Sequence, residues 1–209
     1  MTTQRYLDRR SFVALLRAAR ERERRVTARR DHFLIYLLGR TGLRCSEALA
    51  LRVKDLHLDT DPPYLDVLTL KRRKPVHDQV VIEQRTVRQA RRYVNAVLPK
   101  LLHRVARYGA DPLFPIPIRR CCEAGPVTKA MGSRNARRIF DVYRRRAKLP
   151  AWVTLHSLRH YRGSELLRAS KDLRWVQQQL RHRFISSTQR YLHVDPELQR
   201  RYLAKLDRR

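Results

Sequence analysis

Apolar residues at helical spacing dominate the chain, with one interruption. "SFVALLRAARERERR" sets Phe12, Val13, Leu15, Leu16 and Ala19 against a charged back face, the pattern of an amphipathic helix. "RRDHFLIYLLGRTGLR" predicts a second, more buried helix ended at Gly39 or Gly42, and "SEALALRVKDL" a third with Ser46 as its N-cap. The period then changes. "PPYLDVLTL" is rich in branched and aromatic residues behind two prolines, "KRRKPVHD" is a basic turn and "QVVIE" returns, which predicts a hairpin. From Gln84 to about Tyr108 the helical pattern resumes, closed by "RYGADPLFPIPI" as a loop, and Pro115 to Pro126 is the expected flexible link. "SRNARRIFDVYRRRAKL", "HSLRHYRGSELLRAS", "DLRWVQQQLRH" and "PELQRRYLAKL" then predict four more helices. The expected fold is mainly α with a small antiparallel β-sheet, an α+β arrangement, with no internal repeat.

Charge narrows the partner. Across 209 residues, 48 Lys and Arg face 19 Asp and Glu, for a formal net charge of +29. Such a surplus repels itself in a compact state unless a polyanion neutralises it, which points to nucleic acid ahead of an anionic membrane surface or a structural RNA-binding role. Arginine suits bidentate phosphate contacts. Basic residues fall on nearly every predicted element, favouring a concave basic surface over a detachable tail. No stretch is apolar for the 18 or so residues a spanning helix needs, and "MTTQRYLDRR" has no apolar signal core. The expectation is a cytoplasmic protein with no membrane role. Cys45, Cys121 and Cys122 lack the paired spacing of a zinc site and read as reduced bystanders.

Three short segments carry candidate chemistry. In "TGLRCSEALAL", Gly42 allows a tight turn, Arg44 sits at the mouth of the following helix, and Glu47 lies one turn on. This is a phosphate site in outline, or a surface arginine with a capping glutamate. In "HSLRH", His156, Arg159 and His160 fall at i, i+3 and i+4 and share a helical face. The two histidines have metalloprotease spacing, but Ser157 stands where a general-base glutamate is needed and Arg159 opposes a dication. Guanidinium beside imidazole instead suits a phosphodiester whose transition state gathers negative charge. Tyr191 follows in "STQRYLHV". A phenol has an unperturbed pKa of about 10, and clustered cations favour its phenolate. A core role for Tyr191 is the plain alternative, and Tyr161 and Tyr202 compete as nucleophile.

"TGLRCSEALAL", "HSLRH", "LRH" and "STQRYLHV", in this order and spacing, resemble the tyrosine recombinases, the phage integrase family, from about Tyr6 to Val194. The resemblance implies that Arg44 and Arg159 clamp a scissile phosphate, that His156 and His182 flank it with hydrogen bonds, and that Tyr191 is the nucleophile. Glu47 would order the pocket, Lys71 in the hairpin turn would protonate the leaving 5′ oxygen with Lys74 as understudy, and His160 would be supporting. It implies site-specific recombination through a 3′-phosphotyrosine, double-stranded DNA as substrate, a homo-tetramer on paired sites, an accessory DNA-bending protein and no cofactor.

Two departures qualify the resemblance. Arg181 stands where relatives commonly carry Gly, which at positive φ would cost of order 1 kcal/mol. "YLDRRSFVALL" already reads as the start of the catalytic domain, so residues 1–209 are expected to form one domain without the N-terminal clamp of most relatives. Without a clamp fewer phosphates are neutralised, and each one fewer lowers the salt slope by about 0.9. The helix over 196–209 would dock on its own domain or on a neighbouring subunit. Rival readings are a non-catalytic DNA-binding protein that keeps the fold, a type IB topoisomerase-like relaxing enzyme, and an RNA-binding structural protein.

Overall fold

The computed structural model describes residues 7–21, 25–69, 76–102, 111–117 and 128–181. Helix α1 (Arg9–Arg20) starts where the Asp8 carboxylate accepts the Ser11 N–H at 2.8 Å, a standard N-cap contact. Its Phe12, Leu15 and Ala19 are buried while Val13 lies out in solvent. Helix α2 (Val26–Thr41) is the central element: Phe33, Leu34, Ile35, Leu37 and Leu38 are all nearly inaccessible, because α1, α4 and α7 pack around it. Of the two glycines offered as its end, Gly42 is the cap, at φ 68° and ψ 18°, a left-handed conformation that a side chain resists. Gly39 remains inside the helix, where a Cβ would come within 2.3 Å of the Phe12 ring. It is a packing glycine that lets α1 approach.

Helix α3 (Cys45–Ala50) corrects the expected N-cap. Arg44, not Ser46, is the cap residue, and its backbone N–H donates to Glu47 Oε2 at 2.9 Å. A glutamate three residues into the helix satisfies the orphan donor and removes the need for a capping hydroxyl. A 3₁₀ turn (Val53–Asp55) leads into a three-stranded antiparallel sheet of β1 (Leu56–His57), β2 (Tyr64–Thr69) and β3 (Val76–Val81), in that order. The expected hairpin is β2–β3, with Val67 opposite Asp78 and Thr69 opposite Val76. Leu65, Val67 and Thr69 point inward, and the alternation fixes the register.

Helices α4 (Gln84–Ala96) and α5 (Leu98–Leu102) follow. The segment after them is a second correction. Pro115–Pro117 is not part of a flexible link but strand β4, paired antiparallel with β5 (Thr128–Ala130), so the described residues hold two small sheets rather than one. The remainder of that link lies outside the described residues, as do Cys121, Cys122 and the C-terminal helix of 196–209. Arg30 fixes β4 from below: its guanidinium donates to the Pro115 carbonyl at 2.8 Å and to Asp31, which also accepts from the Tyr143 hydroxyl. Burial pushes the Asp31 carboxyl above its ordinary range even beside Arg30. Helices α6 (Ser133–Arg146), α7 (Leu155–Ser170) and α8 (Leu173–Leu180) complete the described fold. Leu166, Leu167, Val176 and Leu180 form a small apolar cluster between α7 and α8, apart from the main core. Mostly helical with small antiparallel sheets, the architecture is the α+β class that the periodicity predicts. No helix among the described residues is long and apolar enough to cross a membrane.

Candidate active site

The turn Gly42–Arg44 and the first two turns of α7 meet across a cavity of about 590 Å³. Arg44, His156 and Arg159 line it, joined by Ser133, Arg137 and Asp141 of α6. Three of the residues singled out by local motifs, with Arg44 more than a hundred positions from His156 and Arg159, therefore line one space.

Each is held differently. Arg159 is 2% exposed, although helical spacing alone puts it on the same face as the exposed His156. Its Nη1 donates to the Gly42 carbonyl at 2.6 Å, and Nη2 donates to the Leu180 carbonyl. These two neutral carbonyls orient the guanidinium against the cavity wall. The His156 and His160 rings meet edge to face with centroids 4.6 Å apart. His156 lines the cavity, and His160 is the half-buried partner behind it.

Arg44 is set by Glu47, whose Oε1 accepts from Nη1 at 2.6 Å while Oε2 takes the backbone N–H. Burial would raise the Glu47 carboxyl, but the Arg181 guanidinium, the Arg44 N–H and the Arg44 side chain outweigh it and hold the group below its ordinary range. Glu47 is thus an ionised anchor rather than a proton carrier. Helix α3 spans six residues, so the positive charge of this corner resides in the guanidinium, with little contribution from a helix dipole.

Two functional candidates carry no motif signal. Arg137 lines the cavity from α6 and opposes the rise that burial imposes on the Cys45 thiol, whose net shift is still upward. In a helix where basic residues recur throughout, no period marks Arg137 out. Arg181, in the sequence only a departure from the family pattern, is the left-handed C-cap of α8 at φ 53° and ψ 45°. The strain expected for that position is present, on the order of 1 kcal/mol, and the side chain is turned inward onto Glu47 at 2.6 Å. Lys71, Lys74, His182, Tyr191 and Tyr202 lie outside the described residues.

The profile of the phage integrase family matches residues 5–197. The chain belongs to the phage integrase family. Tyrosine recombinase XerC of Pelotomaculum thermopropionicum (strain DSM 13744 / JCM 10971 / SI) is 31% identical over 169 residues, covering 80% of this chain and 51% of that protein. Among solved structures, the XerA recombinase superposes with a TM-score of 0.73 at 23% identity, covering 98% of this chain and 66% of the other. The XerH site-specific recombinase bound to palindromic difH substrate, a post-cleavage complex, gives 0.72 at 20% identity, covering 97% and 53%. At those identities the structures share the fold. The chain spans about half the length of the curated relatives it matches.

Proposed function

We propose that this chain carries out site-specific recombination of double-stranded DNA through a covalent tyrosine intermediate. The observation that carries the reading is the convergence of Arg44, Arg159 and His156 on one cavity, with Glu47 ionised behind Arg44. Such a set stabilises the extra negative charge of a pentacoordinate phosphorus and does not itself supply a nucleophile. Tyr191 fills that role. Its Oη attacks the scissile phosphorus, the P–O5′ bond breaks, and a 3′-phosphotyrosine forms. Lys71 gives its proton to the departing 5′ oxygen, since an alkoxide is a poor leaving group at neutral pH. His182 joins His156 in hydrogen bonding to the non-bridging oxygens, and His160 supports His156. The 5′ hydroxyl of a partner strand then attacks the phosphotyrosine, releasing Tyr191 and joining the new strands.

The net charge of +29 supports a long phosphate track beyond the cavity. Exchange between two duplexes, with each strand cut once, calls for four copies of the chain, and a DNA-bending protein would bring the paired sites together. The helix over 196–209 is the segment with which one copy would reach another.

Covalent capture tests the reading. The protein is expressed in a bacterial host, the lysate is denatured, and DNA still attached to it is sequenced beside a Tyr191→Phe control. Adducts at discrete loci, absent from the control, support recombinase chemistry. Native DNA binding without any adduct overturns it in favour of a non-catalytic DNA-binding protein, and adducts spread without sequence preference favour a relaxing enzyme.

A further inference from the structure

The C-terminal end of α8 reaches two arginines of the cavity wall, Arg159 directly and Arg44 through Glu47. Leu180 supplies the carbonyl that Arg159 Nη2 donates to, and its side chain lies over Gly42, where a Cβ would come within 2.6 Å of Leu180 Cδ2. Arg181, the next residue, sends its side chain to the acid that holds Arg44. Its Nη2 donates to Glu47 Oε2 at 2.6 Å, with side-chain exposures of 6% and 2%. One Glu47 carboxylate therefore bridges two guanidiniums, Arg44 on Oε1 and Arg181 on Oε2.

On the far side, Arg181 Nε lies 4.0 Å from Asp78 Oδ2 on β3, and that carboxylate accepts from Thr69 Oγ1 at 2.5 Å. Thr69 ends β2, at the base of the hairpin turn. Arg181 Nε and Nη1 are buried without a hydrogen-bond partner among the described residues. A guanidinium buried against two carboxylates, on a backbone that glycine would adopt without strain, is expensive to keep for packing alone.

We propose that Arg181 is a positioning residue: it holds Glu47, and through Glu47 fixes the Arg44 guanidinium toward the cavity. Without Arg181, Oε2 would be held by the Arg44 backbone N–H alone, and the carboxylate would have one charged partner instead of two. The second guanidinium adds a charge-assisted bond on that oxygen and so stiffens both the carboxylate plane and the arginine that follows it. The Asp78 contact extends the same chain of charges to the β2–β3 hairpin. The inference rests on the cavity being the phosphate site proposed above.

A double-mutant cycle on the whole protein tests it, comparing the parent, Arg181→Gly, Glu47→Gln and the double variant, with Arg181→Lys beside them. Two quantities are read: the rate of covalent adduct formation on a duplex recovered by capture, and affinity for a short duplex of arbitrary sequence. Arg181→Gly should slow adduct formation roughly 10- to 100-fold, the range for losing a partner that orients a functional side chain, while its thermal midpoint, read alongside, checks that it stays folded, since glycine relieves the left-handed strain as the Glu47 ion pair is lost. In the Glu47→Gln background the same substitution should add less than about two-fold to either effect. Arg181→Lys, which restores a cation beside Glu47, should recover most of the rate. Parental rate in Arg181→Gly, or a full additional drop in the Glu47→Gln background, overturns the proposal. If the parent forms no adduct, the recombinase reading fails, and the cycle in duplex affinity still decides Arg181: non-additivity supports positioning, additivity overturns it.

Discussion

Arg159 donates from Nη1 to the Gly42 carbonyl at 2.6 Å, 117 positions away in sequence. The turn that ends α2 is thereby fastened to the arginine of α7, and the same turn launches Arg44 two residues later. The two cationic walls of the cavity are therefore not independent, since one tight turn sets the spacing between them.

Gly42→Ala should damage this joint. The position has φ 68°, and an added Cβ would lie 2.6 Å from Leu180 Cδ2 and 3.3 Å from Arg162 Cγ. Positive φ costs a side chain about 1 kcal/mol, and displacing a buried leucine adds roughly 1–3 kcal/mol. The urea midpoint of Gly42→Ala should fall by the corresponding amount while the slope of the transition is unchanged. An unshifted midpoint would mean that Leu180 can move aside at no cost.

Arg159→Lys should separate binding from chemistry. A lysine ammonium can sit near one carbonyl but cannot face the Gly42 and Leu180 carbonyls in one plane while presenting a further donor edge to a phosphate. Adduct formation should fall by roughly 10²–10³-fold, as when one preorganised donor of a charged transition state is removed. Affinity for a duplex, spread over many phosphates, should change by only a few-fold. Time courses of adduct formation alongside duplex titrations check both halves. Equal reductions in the two would place Arg159 in general DNA binding instead.

Much of this site is legible in the sequence because its parts are local patterns. His156, Arg159 and His160 are bound together by helical spacing, and Arg44 and Glu47 by a single turn. What spacing does not carry is depth. Arg159 is buried and His156 exposed because α8 closes over one of them, a tertiary event. The N-cap of α3 is hidden for a related reason: Ser46 belongs to the residue types that cap helices, whereas Arg44 becomes a cap only because Glu47 folds back to it. Strand β4 is hidden by composition. "PIP" offers two prolines and three residues, which reads as a loop until Thr128–Ala130 pairs with it. Arg137 is invisible among the repeated arginines of α6, since only packing distinguishes the one that faces the cavity.

Glu47 should leave a mark on the acid limb of stability. Its folded carboxyl titrates below the ordinary value of 4.5, so ionisation favours the folded state. The sign follows: this stabilisation is fully present above about 4.5 and disappears as pH falls through the lowered folded value. Glu47→Gln removes the charge at every pH and should cost roughly 1–3 kcal/mol near neutrality, with the difference from the parent shrinking as both are acidified. Denaturant midpoints measured across the acid range test this. A gap that stays constant down to low pH would show that the ion pairs contribute nothing beyond shape.

Tyr161 is one of the two tyrosines that compete with Tyr191 as nucleophile, lying in the same helix as Arg159, and its surroundings argue against that role. It is 4% exposed, its ring centroid is 4.6 Å from that of Phe12, and burial together with the neighbouring Glu165 charge pushes its phenol above the ordinary range. A phenol held protonated against the core does not attack phosphorus. Tyr161→Phe should therefore keep adduct formation within about two-fold of the parent and cost at most roughly 1 kcal/mol of stability for the hydroxyl it removes. Tyr191→Phe should abolish adducts while leaving duplex affinity near the parental value, because the hydroxyl is needed to form the bond and the phosphate contacts come from elsewhere. Adducts that persist in Tyr191→Phe and vanish in Tyr161→Phe would require α7 to turn its buried face outward before cleavage, and the cavity wall built on Arg159 would have to come apart with it.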